Sequence, residues 1–384
     1  MNWFGKKKPV KLPEVQTAVR DRSDGFPVQL YSYALFERVR RTVPIVDAAV
    51  SKIVRLIGTF RVECGDAHLQ KELDAFLREV PVGLTGQSVY CFIDSYLDSL
   101  LVYGNAVGEI VLDRQGRRIA GLWNGKVTDV GVRAGKHPLE RQYVLRTEDG
   151  FAVLPHPERI LFTALRPPEG GVYGVSLLQG LPVFADVLLK IYDCVGQNFE
   201  RAGNVRYAVS YKPSADPGEM AYAGERAQAI AKEWSEGMQA AKRGEIRDFV
   251  SVGDVSIRVI GAEGSMPATE IPVRQILEQL IAKLSIPPFL LGLNWSSTER
   301  MSAQQADILT SELEYYRRLL EPVICRIAGA FLRLRGVYSP VQVKWDSINL
   351  QDEVELAKAE LYRAQAAALG IPPAVAGGKG TLSP

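Results

Sequence analysis

The chain has 384 residues, 47% hydrophobic and 23% charged, with a formal net charge of +2. That is ordinary for a folded soluble protein, with length for two or three domains and ample material for a core. A charge so near zero excludes the global basic field of a tight duplex binder, and no window reaches the roughly 18–20 apolar residues that span a bilayer.

In chain order, residues 1–27 are polar and Pro-containing, with a Lys6-Lys7-Lys8 cluster and no apolar stretch after it. They read as a mobile N-terminal arm and not as a secretory signal. Helical spacing begins with Leu35 and Val39 and resumes with Ile45, Val46, Ala49, Ile53, Val54 and Ile57, with Pro44 dividing two helices or opening the second. "FRVEC" reads as a strand, "LQKELDAFLREV" as an amphipathic helix, and "SVYCFIDSYLDSLLVYG" as a mostly buried helix stopped by Gly104.

From 105 to 165 the period falls to two. "NAVGEIVLD", "RIAGLW", "KVTDVGVRA", "RQYVLRT", "FAVLP" and "RILFTAL" are divided by Gly- and Asp-containing turns, which predicts a run of β-hairpins. A long helix is predicted over 176–202, opened by a capping box of Ser176 and Gln179. Its apolar stripe is Leu178, Leu181, Phe184, Val187, Leu188, Ile191, Val195 and Phe199. A small α/β insertion follows at 203–268. It holds a strand "RYAVSY", a helix "ERAQAIAKEWSEGMQAAKRG", and a hairpin of "RDFVSV" and "VSIRVIG" around Gly253-Asp254. The helix "PVRQILEQLIAKL" then returns, broken at Ile286-Pro287-Pro288.

Next comes a polar stretch, "LNWSSTER", in which Trp295 sits among hydroxyls. Ser302 is positioned to cap a long helix over 302–335 that is kinked, not ended, at Pro322, because the apolar pattern resumes at Ile324, Ile327 and Phe331. "VQVKW" is a last strand, "EVELAKAELYRAQAAALG" a closing helix, and "GGKGTLSP" a disordered tail. The fold class read from this order is α+β.

The chemistry of an enzyme is missing. No phosphate-binding loop occurs, and the tail's GGKGT fails its spacing. There is no G-x-S-x-G, H-E-x-x-H or calcium loop. Cys64, Cys91, Cys194 and Cys325 form no CxxC pair, and with His68, His137 and His156 equally scattered they read as reduced thiols and not as metal ligands. His156 reads as a turn residue. Glu312/Glu314 and Asp352/Glu353/Glu355 read as solvated faces and helix N-terminal charges. No catalytic residue, cofactor or metal is expected.

The order of elements resembles the portal proteins of tailed bacteriophages, over roughly residues 30–371. "LLVYGNAVGEIVLD" is similar to the family's helix-into-strand step. "GVYGVSLLQGLPVFADVLLKIYDCVGQNFERAGN" is similar to its long helix with a G-x-S-x-L opening. "QILEQLIAKLSIPPFLLG" is similar to its returning stem helix, followed by a long helix carrying "EPVI". The resemblance implies a portal fold: a helix and β-meander wing (28–175), a stem (176–202 and 269–288), a small α/β clip (203–268), a tunnel loop (289–301), a wing continuation of long kinked helix and strand (302–351), and a short helical crown with C-terminal tail (352–384).

It further implies a homo-oligomeric ring, usually of twelve, at one capsid vertex. The ring is a channel for double-stranded DNA in packaging and ejection. It docks the terminase large subunit and then a head-tail adaptor, and meets major capsid and scaffold proteins. Its location is the virion after assembly in host cytoplasm, with no membrane involved. The DNA-facing residues would be Asn294, Trp295, Ser296, Ser297, Thr298, Glu299 and Arg300. Glu299 offsets Arg300, so the loop is near neutral and suits sliding over gripping. Trp295 contacts either DNA or a neighbouring subunit. The rival readings are an enzyme or nucleotide-binding protein with a non-standard site, and a monomeric adaptor or scaffold.

Overall fold

The structure is a computed structural model that describes residues 30–134, 141–147, 150–203, 206–213, 217–245, 254–260, 269–293 and 299–348. The N-terminal arm, the closing helix over 352–370 and the strand "RDFVSV" lie outside them. The chain divides into two compact units, one formed by residues up to Ala185 and from Leu277 onward, the other by Asp186–Ile276.

The first unit opens with two helices, α1 (Leu30–Thr42) and α2 (Pro44–Leu56), and Pro44 stands at the first turn of the second, where its missing N–H costs nothing. Strand β1 (Phe60–Cys64) leads to α3 (Ala67–Glu79), capped by the Asp66 carboxylate, which accepts from the His68 and Leu69 amides. Two short strands, β2 (Pro81–Val82) and β3 (Gly86–Gln87), precede α4 (Val89–Tyr103). That helix packs against α1, α2 and α3 and against the sheet. Its near-continuous apolar sequence follows from this: Phe92, Tyr96, Leu97, Leu100 and Leu101 are all fully buried.

The period-two region forms two sheets rather than one meander. Strands β4 (Asn105–Leu112), β5 (Ile119–Gly125) and β9 (Ile160–Ala164) join β2 and β3 in the order β3-β2-β5-β4-β9. Strands β6 (Val130–Ala134), β7 (Arg141–Thr147) and β8 (Gly150–Val153) form a separate antiparallel sheet. The expected hairpins are present within each sheet. Sequence periodicity does not reveal that β9 skips back to pair with β4, or that β2 runs parallel to β5.

Residues 165–180 are then pinned to the end of α4. Gly104 (φ +75) and Gly174 face each other so closely that a Cβ on Gly104 would lie 2.5 Å from the Val175 carbonyl carbon. A Cβ on Gly174 would fall onto the Gly104 oxygen and the Leu165 amide. Asn105, fully buried, donates from Nδ2 to the Tyr33 hydroxyl (3.1 Å) and accepts the Gly174 N–H on Oδ1 (2.9 Å). The Ser176 hydroxyl donates to the Val102 carbonyl (2.6 Å) and accepts the Leu178 N–H (2.9 Å).

This corrects the expected capping box. Ser176 pins a turn, Gly180 interrupts with φ +90, and the long helix α5 runs Leu181–Gly203 instead of starting at 176. Pro182 falls in its first turn.

Chain then passes within α5 into the second unit. That unit holds β10 (Arg206–Lys212), the short α6 (Pro217–Met220), α7 (Ala223–Lys242) and β11 (Asp254–Ile260). Strands β10 and β11 pair antiparallel in register Arg206↔Ile260 to Lys212↔Asp254. Return is through α8 (Glu270–Leu284).

In the first unit, α9 (Glu299–Arg333) is 35 residues long and runs through Pro322 to its end, and β12 (Val341–Trp345) pairs with β1. Arg317 on α9 is 3% exposed. Its Nε and Nη2 both donate to the Ile57 carbonyl at 2.9 and 2.7 Å, its Nη1 reaches Glu314 at 3.0 Å, and its guanidinium lies 4.9 Å from the Trp345 ring centroid. A carbonyl that α2 leaves unpaired at its C-terminus is thereby satisfied by a charged donor.

Two outcomes follow. Gly174→Ala should destabilise the first unit by about 3 kcal/mol, since the backbone on both sides must move. Arg317→Ala should cost about 2–4 kcal/mol, chiefly through the stranded Ile57 carbonyl, because the Glu314 partner is largely solvated. Urea unfolding followed by tryptophan fluorescence measures both.

Candidate functional site

The segment joining α8 to α9 is built on an apolar base. Helix α8 buries Leu280, Ile281 and Leu284 and stops at Leu284, where Ser285 takes a left-handed φ of +54. Ile286 is buried, and a residue before proline is pushed out of helical conformation, so the break is placed by Pro287 and Pro288. A 3-10 turn, Pro288–Leu291, packs against α2. Gly292 (φ +76) reverses the chain as expected, with its N–H bonded to the Phe289 carbonyl at 3.1 Å. The run Phe289-Leu290-Leu291 is half-buried, so it is the anchor of the segment and not its working part.

Of the residues predicted to face DNA, Asn294, Trp295, Ser296, Ser297 and Thr298 lie outside the described residues. Glu299 and Arg300 are placed differently from expectation: they form the first turn of α9, not a loop. Residues 289–301 are thus not a loop throughout, and the helix begins three residues before Ser302.

Two cations that sequence reading passed over stand at the base. Lys283, in the last turn of α8, has its ammonium held below the usual lysine range by burial and by Arg166. Arg166 itself has φ +45, an uncommon conformation for a side chain of its size. Tyr316 on α9 is pushed up to about 12 by burial and by Glu312, while Arg166 pulls it the other way. The only sequence signal for this cluster is Arg166 standing before Pro167-Pro168.

Chemistry elsewhere is sparse. His156 pairs with Glu158 at 3.0 Å in a turn, both exposed. Burial and the nearby Glu321 raise Cys325, and all four cysteines are free. Among the described residues, no three potential metal ligands converge, and no helix is long and apolar enough to cross a membrane.

The exposed apolar surface of α5 is the most unusual feature of the second unit. Val187, Tyr192 and Phe199 are 44%, 50% and 59% exposed, and an open groove of about 380 Å3 runs beside Ile191, Cys194, Val195 and Asn198. Apolar side chains on this stripe of α5 are thus left facing water.

No protein-family profile and no curated protein sequence matches the chain. Solved structures do. A chain in the neck of the empty gene transfer agent particle, computed with C6 symmetry, superposes with a TM-score of 0.64 at 19% identity, covering 91% of this chain and 97% of that one. A chain in the neck of the native particle, computed with C12 symmetry, gives a TM-score of 0.63 at 19% identity, with 92% and 97% covered. A crystal structure of an HK97 family phage portal protein from Corynebacterium diphtheriae gives 0.43 at 14% identity, with 80% and 95% covered. The mixed helix-and-sheet fold of this chain is therefore the fold of chains in the neck of a gene transfer agent particle, matched over nearly the whole of both.

Proposed function

We propose that the chain is a portal subunit that assembles into a ring around a DNA channel at one vertex of a phage capsid or phage-like particle. One observation carries this reading: the fold match to a particle-neck chain computed with C12 symmetry leaves little of either chain unmatched. The exposed apolar stripe of α5 supports it, since self-association would cover that surface. The ring has twelve subunits. The ring is a virion component that admits double-stranded DNA, docks a terminase motor during packaging and a head-tail adaptor afterwards, and meets capsid and scaffold proteins. In this reading α5 and α8 form the stem, and the residues between them in sequence form the clip. The 352–384 segment forms a short crown and tail. The ring hydrolyses no nucleotide, because the sequence contains no phosphate-binding loop.

Residues 294–298 and the first turn of α9 are assigned to the tunnel. The described part of the segment, 285–293, carries no charge, and Glu299 balances Arg300. Phosphate attraction at each subunit is then weak and removed by modest salt, so DNA slides.

Ring formation is checked by light scattering and negative-stain images. Twelve copies of a 42.3 kDa chain come to about half a megadalton with a central hole. The double change Val187→Asp with Phe199→Asp should leave a folded monomer, its stability moved by no more than about 0.5 kcal/mol, and abolish the ring. A monodisperse monomer of the unaltered chain at micromolar concentration in physiological salt counts against the ring.

For the tunnel, Glu299→Lys should shorten the DNA packaged while rings still form, and Glu299→Gln, which loses the helix-end charge without adding a basic one, should package nearly normally. Full-length packaging by the Glu299→Lys particles sinks the tunnel assignment.

A further inference from the structure

The five-stranded sheet of the first unit ends on an open edge. Strand β9 pairs with β4 on one side and, among the described residues, has no strand on the other. The Leu165 N–H bonds to the Gly104 carbonyl, and backbone direction alternates along a strand. Thr163 and Leu161 therefore face β4, while the N–H and C=O groups of Phe162 and Ala164 point away from it. Among the described residues those groups have no backbone partner.

The edge strand of the neighbouring three-stranded sheet is treated differently. There the Val132 N–H is taken by the Tyr173 hydroxyl at 2.8 Å.

A groove of about 540 Å3 runs along the open edge. Phe162, Thr163 and Ala164 all line it. Successive side chains alternate between the faces of a sheet, so three consecutive lining residues fit a groove that meets the strand at its edge. The opposite wall is α9 at Arg318, Leu319 and Pro322. Pro322 brings no amide hydrogen, which leaves the Arg318 carbonyl without its helical donor. Arg141 and Arg318 also line the groove, Arg133 lies over the Phe151 ring at 5.4 Å, and no carboxylate is among the described residues that line it.

We propose that this groove binds an extended acidic segment of a partner polypeptide, added to β9 as a sixth strand of the sheet. Phe162 and Ala164 supply the backbone bonds, and Arg141 and Arg318 select the charge. Carboxylates at alternate positions of the incoming strand meet the arginines, while the residues between them cover half-buried Phe162 and exposed Val172. An open edge of this kind recruits stray strands unless its flanks discriminate, and arginines along the groove reject basic ones. The partner is distinguished from duplex DNA, also an anion, by its need for main-chain bonds. The inference does not depend on the ring, because the groove lies within the first unit of one chain.

The probe is a fluorescein-labelled peptide, acetyl-Glu-Val-Glu-Val-Glu-Val-amide, titrated with the full chain and followed by anisotropy. Binding is expected with a dissociation constant on the order of 10–100 μM. It should weaken about tenfold when the peptide is N-methylated at alternate residues on the edge-facing side, a change that keeps charge and removes strand pairing. It should weaken similarly for the Arg141→Ser/Arg318→Ser chain, whose circular dichroism checks the fold, and when Lys replaces Glu in the peptide. The N-methylated peptide tests strand pairing on the unaltered chain even where the double variant fails to fold. Equal binding by the N-methylated or the Lys peptide, absence of saturation, or displacement of the acidic peptide by a short duplex with the same arginine dependence would each overturn the proposal.

Discussion

The architecture of the first unit hangs on the contact of two backbones at the end of α4. Gly104 and Gly174 approach too closely for any side chain, and the buried amide of Asn105 and hydroxyl of Ser176 fill the gap with hydrogen bonds. Everything downstream takes its direction from there. Strand β4 leaves from Gly104, β9 closes beside it through Leu165, and α5 begins only after the chain has been stitched to Val102 and Leu101. Burying three polar side chains in this small volume would be costly if any lost a partner. Tyr33, Asn105 and Ser176 each have one, and burial accordingly drives the Tyr33 hydroxyl far above its usual range despite the opposing bond from Asn105.

Arg317 does comparable work at the other end of the helical layer. One guanidinium joins the C-terminus of α2, the middle of α9 and the aromatic face of Trp345 on β12. Gly58 is needed there for space as well as for its φ of +77, because a Cβ would lie 2.9 Å from the Arg317 Nη2. Phe60 of β1 packs edge-on to Trp345, so the β1-β12 pair is tied to the same arginine. Segments more than two hundred residues apart in sequence thus share one buried charge.

Much of this was legible in sequence and some was not. The periods of 3.6 and two located almost every described element, because amphipathic spacing is local and burial enforces it. The Gly-x-Ser-x-Leu opening was visible as a pattern at Gly174, Ser176 and Leu178, but its reason was not. A serine before a hydrophobic run suits a helix cap and equally suits a buried staple, and only the position of Val102 decides. For the same reason α5 starts at Leu181. Pairings such as β2 with β5 depend on partners far along the chain. Arg317 looked like any charged residue on a long helix, since its distinction is the carbonyl it meets. At the candidate site, the turn at Gly292 and the break at Pro287-Pro288 were readable because both are backbone rules, whereas the start of α9 at Glu299 was not, since several polar residues there can open a helix.

The buried side chains of Asn105, Ser176 and Arg317 all spend hydrogen bonds on joining distant backbone segments. Three features at the surface are left unfinished: the apolar stripe of α5, the open edge of β9, and the uncharged anchor that leads into residues 294–298. Unfinished bonding of those kinds is completed by other macromolecules, one through apolar area and another through main-chain pairing. Such a distribution suits a part that is assembled and docked, in which rigidity is internal and specificity lies in what each free surface accepts.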